Sequence, residues 1–503
     1  MSFSRVLPAI IVLLGLLPAS AETLNLTLQQ AIQMALAKNF RIKVEEFAPK
    51  IAKSQQLSAS GQFDPTLSAS YTYDHSEQEL RSLNPGLVDP AAVPGQVVPD
   101  LFARHDGQEI NASIAGTLPT GTTYSIGPTL TMTTDNQRNP QFTEFNSFFG
   151  VSMTQPLLKN FGTDVNLASI RVARANQAIS QWQLRQQVID VVTDTISIYS
   201  ELYFSIQNVE VEKRSRALAA QLVDDNIKRE QGGVMIDLDV MQAKTDLADR
   251  EERVLVAERA VADNENFLKQ LVTDEIAGLL DTHLDIVQPE LANTEDPDRK
   301  HDYARAFDLR PDYRQALLDI QKRQINVVFT RNQALPQLDL VGSLGLNGID
   351  TTFLASAQRV SGQGNRNLAG NIGAVFSLPI PNRTAQGNLQ VSKLEVLQAL
   401  MDLKRLEQTI LVEADNAAGQ IDTTRKRIEA TSVASDFARQ TLQGAQARLN
   451  NGRSTTFEVL QFQRDLAAAE VNEARARADF IQALARYARL TGSTLERNGI
   501  VTE

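Results

Sequence analysis

The sequence predicts a membrane β-barrel continued by a long α-helical barrel, built from one helix–strand–strand–long helix–long helix repeat written twice. Three observations carry this. Segments of period-two alternation stand beside helical stretches too long for an ordinary globular domain. The landmarks recur in the same order: Pro65 opens a strand-like segment, as Pro336 does, and the run from Gly233 to Gln242 returns as Gly452 to Gln461. Repetition of this kind decides the architecture before any local reading does. Finally, the chain opens like an exported protein.

Residues 1–21 read as a signal peptide. Arg5 is the basic start, Val6 to Leu17 is apolar, and Ala19-Ser20-Ala21 has the small-x-small form of a cleavage site. The apolar run falls short of the roughly 20 residues a membrane helix needs. No cysteine follows the site, so a lipid anchor of the lipoprotein type is not expected.

The first repeat, 22–272, begins with a helix whose Leu28, Ala31, Ala35 and Leu36 share one face. Strands are expected at about 65–75, 108–118, 121–132 and 147–156. Their apolar residues (Leu67, Ala69, Tyr71, Tyr73; Ile110, Ala112, Ile114; Tyr124, Ile126, Leu130, Met132; Phe149, Val151, Met153) alternate with Ser, Thr and Asn. Apolar-out, small-polar-in alternation is what a membrane barrel strand needs. Helices follow at about 160–230 and 235–272. A linker, 273–302, rich in Asp, Glu and Pro, is expected to be irregular. The second repeat, 303–492, places strands at about 336–347 and 369–379 and helices at about 384–450 and 455–491, before a tail at 493–503. The polar stretches Ser76–Gln108, Asp135–Asn146 and Gly348–Asn367 read as external loops, and Leu118-Pro119-Thr120-Gly121 as a periplasmic turn.

The long helices carry heptad rows. In the first, Val188, Thr195, Leu202 and Val209 are joined by Val192, Tyr199 and Ile206, with a second face at Ile189, Ile196 and Tyr203. In the second half the row is Leu389, Val396, Leu403, Ile410 and Ala417, with Leu400, Ala414 and Ile421. Seven-residue spacing means supercoiled packing, and two such faces suit a helix that is part of a wall. A 65-residue helix runs on the order of 100 Å.

Composition excludes other classes. With 49 basic against 60 acidic residues the net charge is −11, the wrong sign for a nucleic-acid binder. Without cysteine there is no thiol catalysis and no thiolate metal site. His75, His105, His283 and His301 fall in expected loops or the linker without ligand spacing, and no hydrolase, zinc or phosphate-loop motif is present. No catalytic residue, metal or cofactor is expected.

Six strands cannot close a membrane barrel, whose smallest known form has about eight. An open edge in lipid leaves backbone groups unsatisfied. Several chains must therefore share one barrel.

The chain resembles the TolC family of outer-membrane efflux proteins over essentially its whole mature length. The matching residues are Leu28-Gln29-Gln30-Ala31 through Asn39 and their echo near Arg310-Pro311-Asp312, Pro65 and Pro336, Gln155-Pro156-Leu157-Leu158 and Leu378-Pro379-Ile380, and the tips at Gly233 and Gly452. The resemblance implies a homotrimer with a shared barrel in outer-membrane lipid. It also implies a periplasmic helical tunnel, a periplasmic membrane-fusion adaptor and an inner-membrane pump of RND or ABC type. The function expected is a passive exit duct, with small-molecule efflux favoured over type I protein secretion. A non-conducting periplasmic coiled-coil scaffold is the rival of another class.

Two departures stand out. The usual family member has four strands per chain, whereas the longer stretch from Pro65 to Pro156 offers two more, either in the barrel or folded over its mouth; six is the preferred reading. Family members often place Asp six residues after each tip glycine. Here Asp239 keeps the acid, Glu458 replaces it, and Gln242 and Gln461 stand where some relatives have another. Asp239, Glu458 and Asp237 are thus candidates for a periplasmic gate, since a lining carboxylate becomes a ring of three in a trimer. Helix capping is the plainer role: Thr455 to Glu458 has capping-box form and Asp237 could be an N-cap. Gly233, Val234, Gly452 and Arg453 are candidates for the turn and for adaptor contact, and Arg229 and Arg448 flank them.

Overall fold

The computed structural model describes residues 23–79, 102–135, 142–233, 235–289, 298–361 and 367–500. The expected signal peptide and Val234 lie outside them. In chain order the elements are β1 (Thr23–Leu26), α1 (Leu28–Lys38), α2 (Phe40–Glu45), α3 (Phe47–Ser60), β2 (Thr66–Glu79), β3 (Phe102–Thr117), β4 (Thr123–Asp135) and β5 (Phe142–Pro156). Then come α4 (Thr163–Asn166), α5 (Ala168–Gln231), α6 (Asp237–Val272), β6 (His283–Ile286), α7 (Arg299–Leu309) and α8 (Pro311–Gln333). The last are β7 (Gln337–Asp350), α9 (Phe353–Val360), β8 (Asn367–Ser377), α10 (Arg383–Asn450), α11 (Thr456–Leu490) and α12 (Thr494–Arg497). The chain divides into two compact units, one of residues 1–48, 181–315 and 404–503 and the other of 49–180 and 316–403.

The first unit is helical. Its core joins Ala31, Ala35 and Ile42 to Val191, Tyr199 and Leu202 of α5, and to Leu268 and Leu271 of α6. Further along, Leu222 of α5 packs with Leu442 and Leu449 of α10 and Val459 and Leu460 of α11. Nearly all of the heptad row is buried here: Thr195, Leu202 and Val209, then Ile410, Ala414, Ala417 and Ile421. The linker is more ordered than its composition suggests. It holds a 3-10 turn at Ile276–Leu279 and β6, which pairs in parallel with β1 from Thr23 and His283 to Leu26 and Ile286. The Tyr199 hydroxyl meets the carbonyls of Leu26 (2.9 Å) and Val287 (2.6 Å), closing the end of that pair. Burial pushes this phenol up to about 12. α7 starts at Arg299, inside the stretch expected to be linker. The motif residue Arg310 ties it down by bonding Asp312 (2.6 Å), Glu413 (3.1 Å) and the Leu490 carbonyl (3.1 Å).

The second unit is built on one antiparallel sheet of order β2-β3-β4-β5-β7-β8. The additional pair β3 and β4 lies within the sheet rather than across its end. Register rows keep the two faces apart: Leu67, Ile114, Ile126, Val151 and Leu344 line up across five strands, while Thr66, Ala115, Ser125, Ser152, Ser343 and Asn371 form a row on the other face. Charged side chains on the polar face are the acids Asp74, Glu109, Asp135, Glu144 and Asp339, with His105. Phe148 is an exception there. Its ring lies over Gly150 and Gly345, where a Cβ would come within 2.4 and 2.5 Å of ring atoms. The end of the sheet reached from α3, α4, α8 and α10 carries the tight turn between β3 and β4.

The strands run further from that end than the apolar pattern indicates. β2 continues to Glu79, β3 starts at Phe102, β5 at Phe142, and β7 reaches Asp350. The alternation stops because both faces turn polar while the backbone ladder continues. His75 and His105 therefore lie in strands, not loops, and His75 Nδ1 is 2.7 Å from Asp106. His283 is in β6 and His301 in α7. Within this unit the α10 row is less covered: Leu400 is 38 % exposed, beside exposed Val391, Leu394, Leu397 and Met401. No helix among the described residues is long and apolar enough to cross a membrane.

Candidate functional site

The candidate residues gather at the two turns of the helical unit. Each turn needs glycine for its backbone. Gly233 has φ 72° and Gly452 φ 70°, the left-handed region that other residues enter at a cost. A Cβ at either would meet nothing within 4 Å, so the dihedral and not crowding selects glycine. At the second turn Gly452 N–H donates to the Leu449 carbonyl (3.1 Å) and Arg453 N–H to that of Arg448 (2.8 Å), which closes the end of α10. At the first, Gly233 N–H donates to the Glu230 carbonyl (2.9 Å).

The helices that leave these turns start differently. α11 has Thr455 as N-cap, its side chain accepting from Glu458 N–H at 3.2 Å. The expected capping box is only half formed. Glu458 turns instead to Arg448 (3.1 Å) and Ser454 (2.7 Å), because the cation across the turn competes for its carboxylate. α6 has Ile236 at the cap position with no side-chain bond. Asp237 is thus not the N-cap but the first helical residue. Asp237 and Asp239 both stand in the first turn of α6, where the helix dipole favours an anion. Among the described residues neither carboxylate makes a hydrogen bond or ion pair, and neither does the Arg453 guanidinium. Arg229 is not a solvated charge: it reaches the Asn450 side chain (2.9 Å) and the Leu449 carbonyl (3.4 Å), linking the ends of α5 and α10.

A groove of about 400 Å³ runs between α6 and α11. Its rim is apolar and open, with Leu238 60 %, Met241 53 % and Phe457 65 % exposed. Gln242 and Gln461 line it, nine residues after each tip glycine. Its floor holds a charge cluster that sequence reasoning missed. Asp246 and Arg250, both with 1 % side-chain exposure, meet at 2.6 Å. Arg250 also bonds the Ser215 carbonyl (2.9 Å) and hydroxyl (2.8 Å) on α5, and Arg464 of α11 bonds Asp246 at 2.7 Å. Burial pulls the Arg250 guanidinium below its ordinary value, and the Asp246 carboxylate opposes that shift. One buried Arg250 nitrogen has no partner among the described residues. In sequence Asp246 and Arg250 look like an ordinary exposed i,i+4 pair; Ser215 of α5 and Arg464, arriving from the other repeat, make them a cluster.

The arrangement can bind and repel charge and can present an apolar groove. Among the described residues no three His, Cys, Asp or Glu side chains group to hold a metal.

Residues 303–493 match the family model described as outer membrane efflux protein. Among curated proteins no sequence matches the chain. Among solved structures it is similar to the outer-membrane channel OprN, with TM-score 0.67, 15 % identity, and coverage of 93 % of this chain and 90 % of that one. It is also similar to the CmeC outer membrane channel of Campylobacter jejuni (TM-score 0.67, 16 %, covering 93 % and 86 %). The outer membrane protein VceC of Vibrio cholerae gives TM-score 0.64 at 16 %, covering 92 % and 96 %. At such identities these likenesses establish the fold.

Proposed function

We propose, from the match of residues 303–493 to the outer membrane efflux protein family model, that this chain is the exit duct of a tripartite export system. It lies in the outer membrane with a periplasmic helical extension. The observation that carries the reading is the six-stranded sheet, apolar on one face, small and polar on the other, and open at both edges. Such a sheet suits lipid on one side and water on the other, and its edges need further copies of the chain. We take the assembly to be a homotrimer. Exposed apolar residues at heptad-like spacing, Phe40, Val44, Phe47 and Ile51, and the open row on α10 support packing between copies.

The duct is passive, since no nucleotide motif is present and an inner-membrane pump of RND or ABC type must supply the work. The periplasmic adaptor docks at the helix tips, with the groove rimmed by Leu238, Met241 and Phe457 as the contact. The word efflux in the family description favours small molecules over secreted protein as cargo. Three Asp239 carboxylates form the gate ring, attracting cations and repelling anions. Glu458 contributes less, because Arg448 offsets its charge.

Single-channel conductance in a planar bilayer tests this. A small steady conductance, blocked by multivalent cations in the wild type and unblocked in Asp239→Asn, is the expected result. Conductance indifferent to Asp239→Asn removes the gate and leaves the duct. A protein that stays freely soluble, forming no detergent oligomer in the outer-membrane fraction, refutes the duct in favour of a periplasmic scaffold.

A further inference from the structure

The stretch after β7, read from sequence as an external loop, contains α9, and α9 lies against the sheet. Gly348 makes this contact: a Cβ there would stand 2.2 Å from the Ser356 carbonyl and 2.9 Å from Arg359 Cβ, so helix and strand backbones touch. Ser356 is fully buried, and its hydroxyl is 2.6 Å from that of Ser147. Ser147 and Gly348 are paired, and they share a face with Phe149, Leu346 and Val151. The helix is therefore on the apolar face, not the polar one. It sits at the end of the sheet away from the helical connections, beside Asp350, which bonds Arg359 at 2.9 Å.

Of the polar side chains of α9, Ser356 and Arg359 are tied to the sheet and Gln358 is exposed. Thr352 caps its start by accepting from Ala355 N–H. Phe353 and Leu354 are left 50 % and 66 % exposed. A short amphipathic helix continuing an apolar membrane face, with its charge at the sheet end, has the form of an interfacial segment. We propose that α9 is a lipid anchor: Phe353 and Leu354 enter the boundary between headgroups and acyl chains of the outer leaflet and fix the depth of the sheet. The occupant is acyl chain, because the helix continues the face that lipid covers. This rests on the barrel reading above.

The sole tryptophan, Trp182, lies outside the sheet and allows a clean probe. Full-length Trp182→Phe/Phe353→Trp is reconstituted in phosphatidylcholine vesicles brominated near the headgroup or near the chain ends, with Trp182→Phe/Leu344→Trp on the sheet face as reference. The tryptophan at 353 should be quenched about twofold more by shallow than by deep bromine, as an interfacial depth requires, and little by iodide. Quenching at 344 alone, with 353 open to iodide, overturns the anchor and leaves the barrel. Quenching at 344 with 353 shielded from both agents overturns it in favour of a neighbouring copy. No bromine quenching at either position refutes the barrel reading and the anchor with it.

Discussion

Gly233 and Gly452 share one backbone conformation, yet the helices they lead into are tied down differently. The second tip is closed: Thr455 caps α11, and Glu458 is held by Arg448 and Ser454. The first has Ile236 where a cap would be, and two acids, Asp237 and Asp239, without partners among the described residues. Duplication kept the turn, which the dihedral enforces, and let the charges diverge, which nothing in the turn constrains. The tip with untied carboxylates is the one that suits the gate role proposed above.

The largest effect is expected from disturbing the charge cluster beneath both tips. Asp246→Asn leaves Arg250 and Arg464 without their carboxylate beneath the groove. Loss of one partner of a buried pair costs about 3–5 kcal/mol, which a thermal melt followed by helical circular dichroism should detect. Next come the glycines. Gly233→Ala and Gly452→Ala should each cost about 1–2 kcal/mol for the left-handed backbone, and equally, since neither Cβ is crowded; unequal losses would show that the turns are not equivalent. Thr455→Ala should cost about 1 kcal/mol, whereas Ile236→Ser should stabilise by about 0.5–1 kcal/mol by supplying the missing cap. The smallest effect on stability is expected from Arg448→Gln, about 0–1 kcal/mol for an exposed pair. It should nonetheless sharpen the contrast, because releasing Glu458 should make multivalent-cation block as sensitive to Glu458→Gln as to Asp239→Asn.

The parts legible in the sequence were those with a period. The strands announced themselves by alternation at Leu67 to Tyr73 and Tyr124 to Met132, and the packed helix faces by Thr195, Leu202 and Val209. What escaped lacks local periodicity. β1 and β6 are four residues each and pair across most of the first repeat. α9 is a short helix between polar residues. Glu458 meets Arg448 across a turn, outside the spacing of helix pairs, and Asp246 meets Arg464 only because the two repeats pack together. The site was located by its glycines, while its electrostatics depended on partners that no single segment contains.

The two edges of the sheet, β2 and β8, carry one further consequence. Strand direction alternates across the six, so β2 and β8 run oppositely. Copies joined edge to edge in a ring therefore meet antiparallel at every seam, whatever their number. An odd strand count would force parallel seams into an otherwise antiparallel ladder. On the shared-barrel reading proposed above, parity explains why β3 and β4 come together: a barrel shared among identical chains can widen only by hairpins.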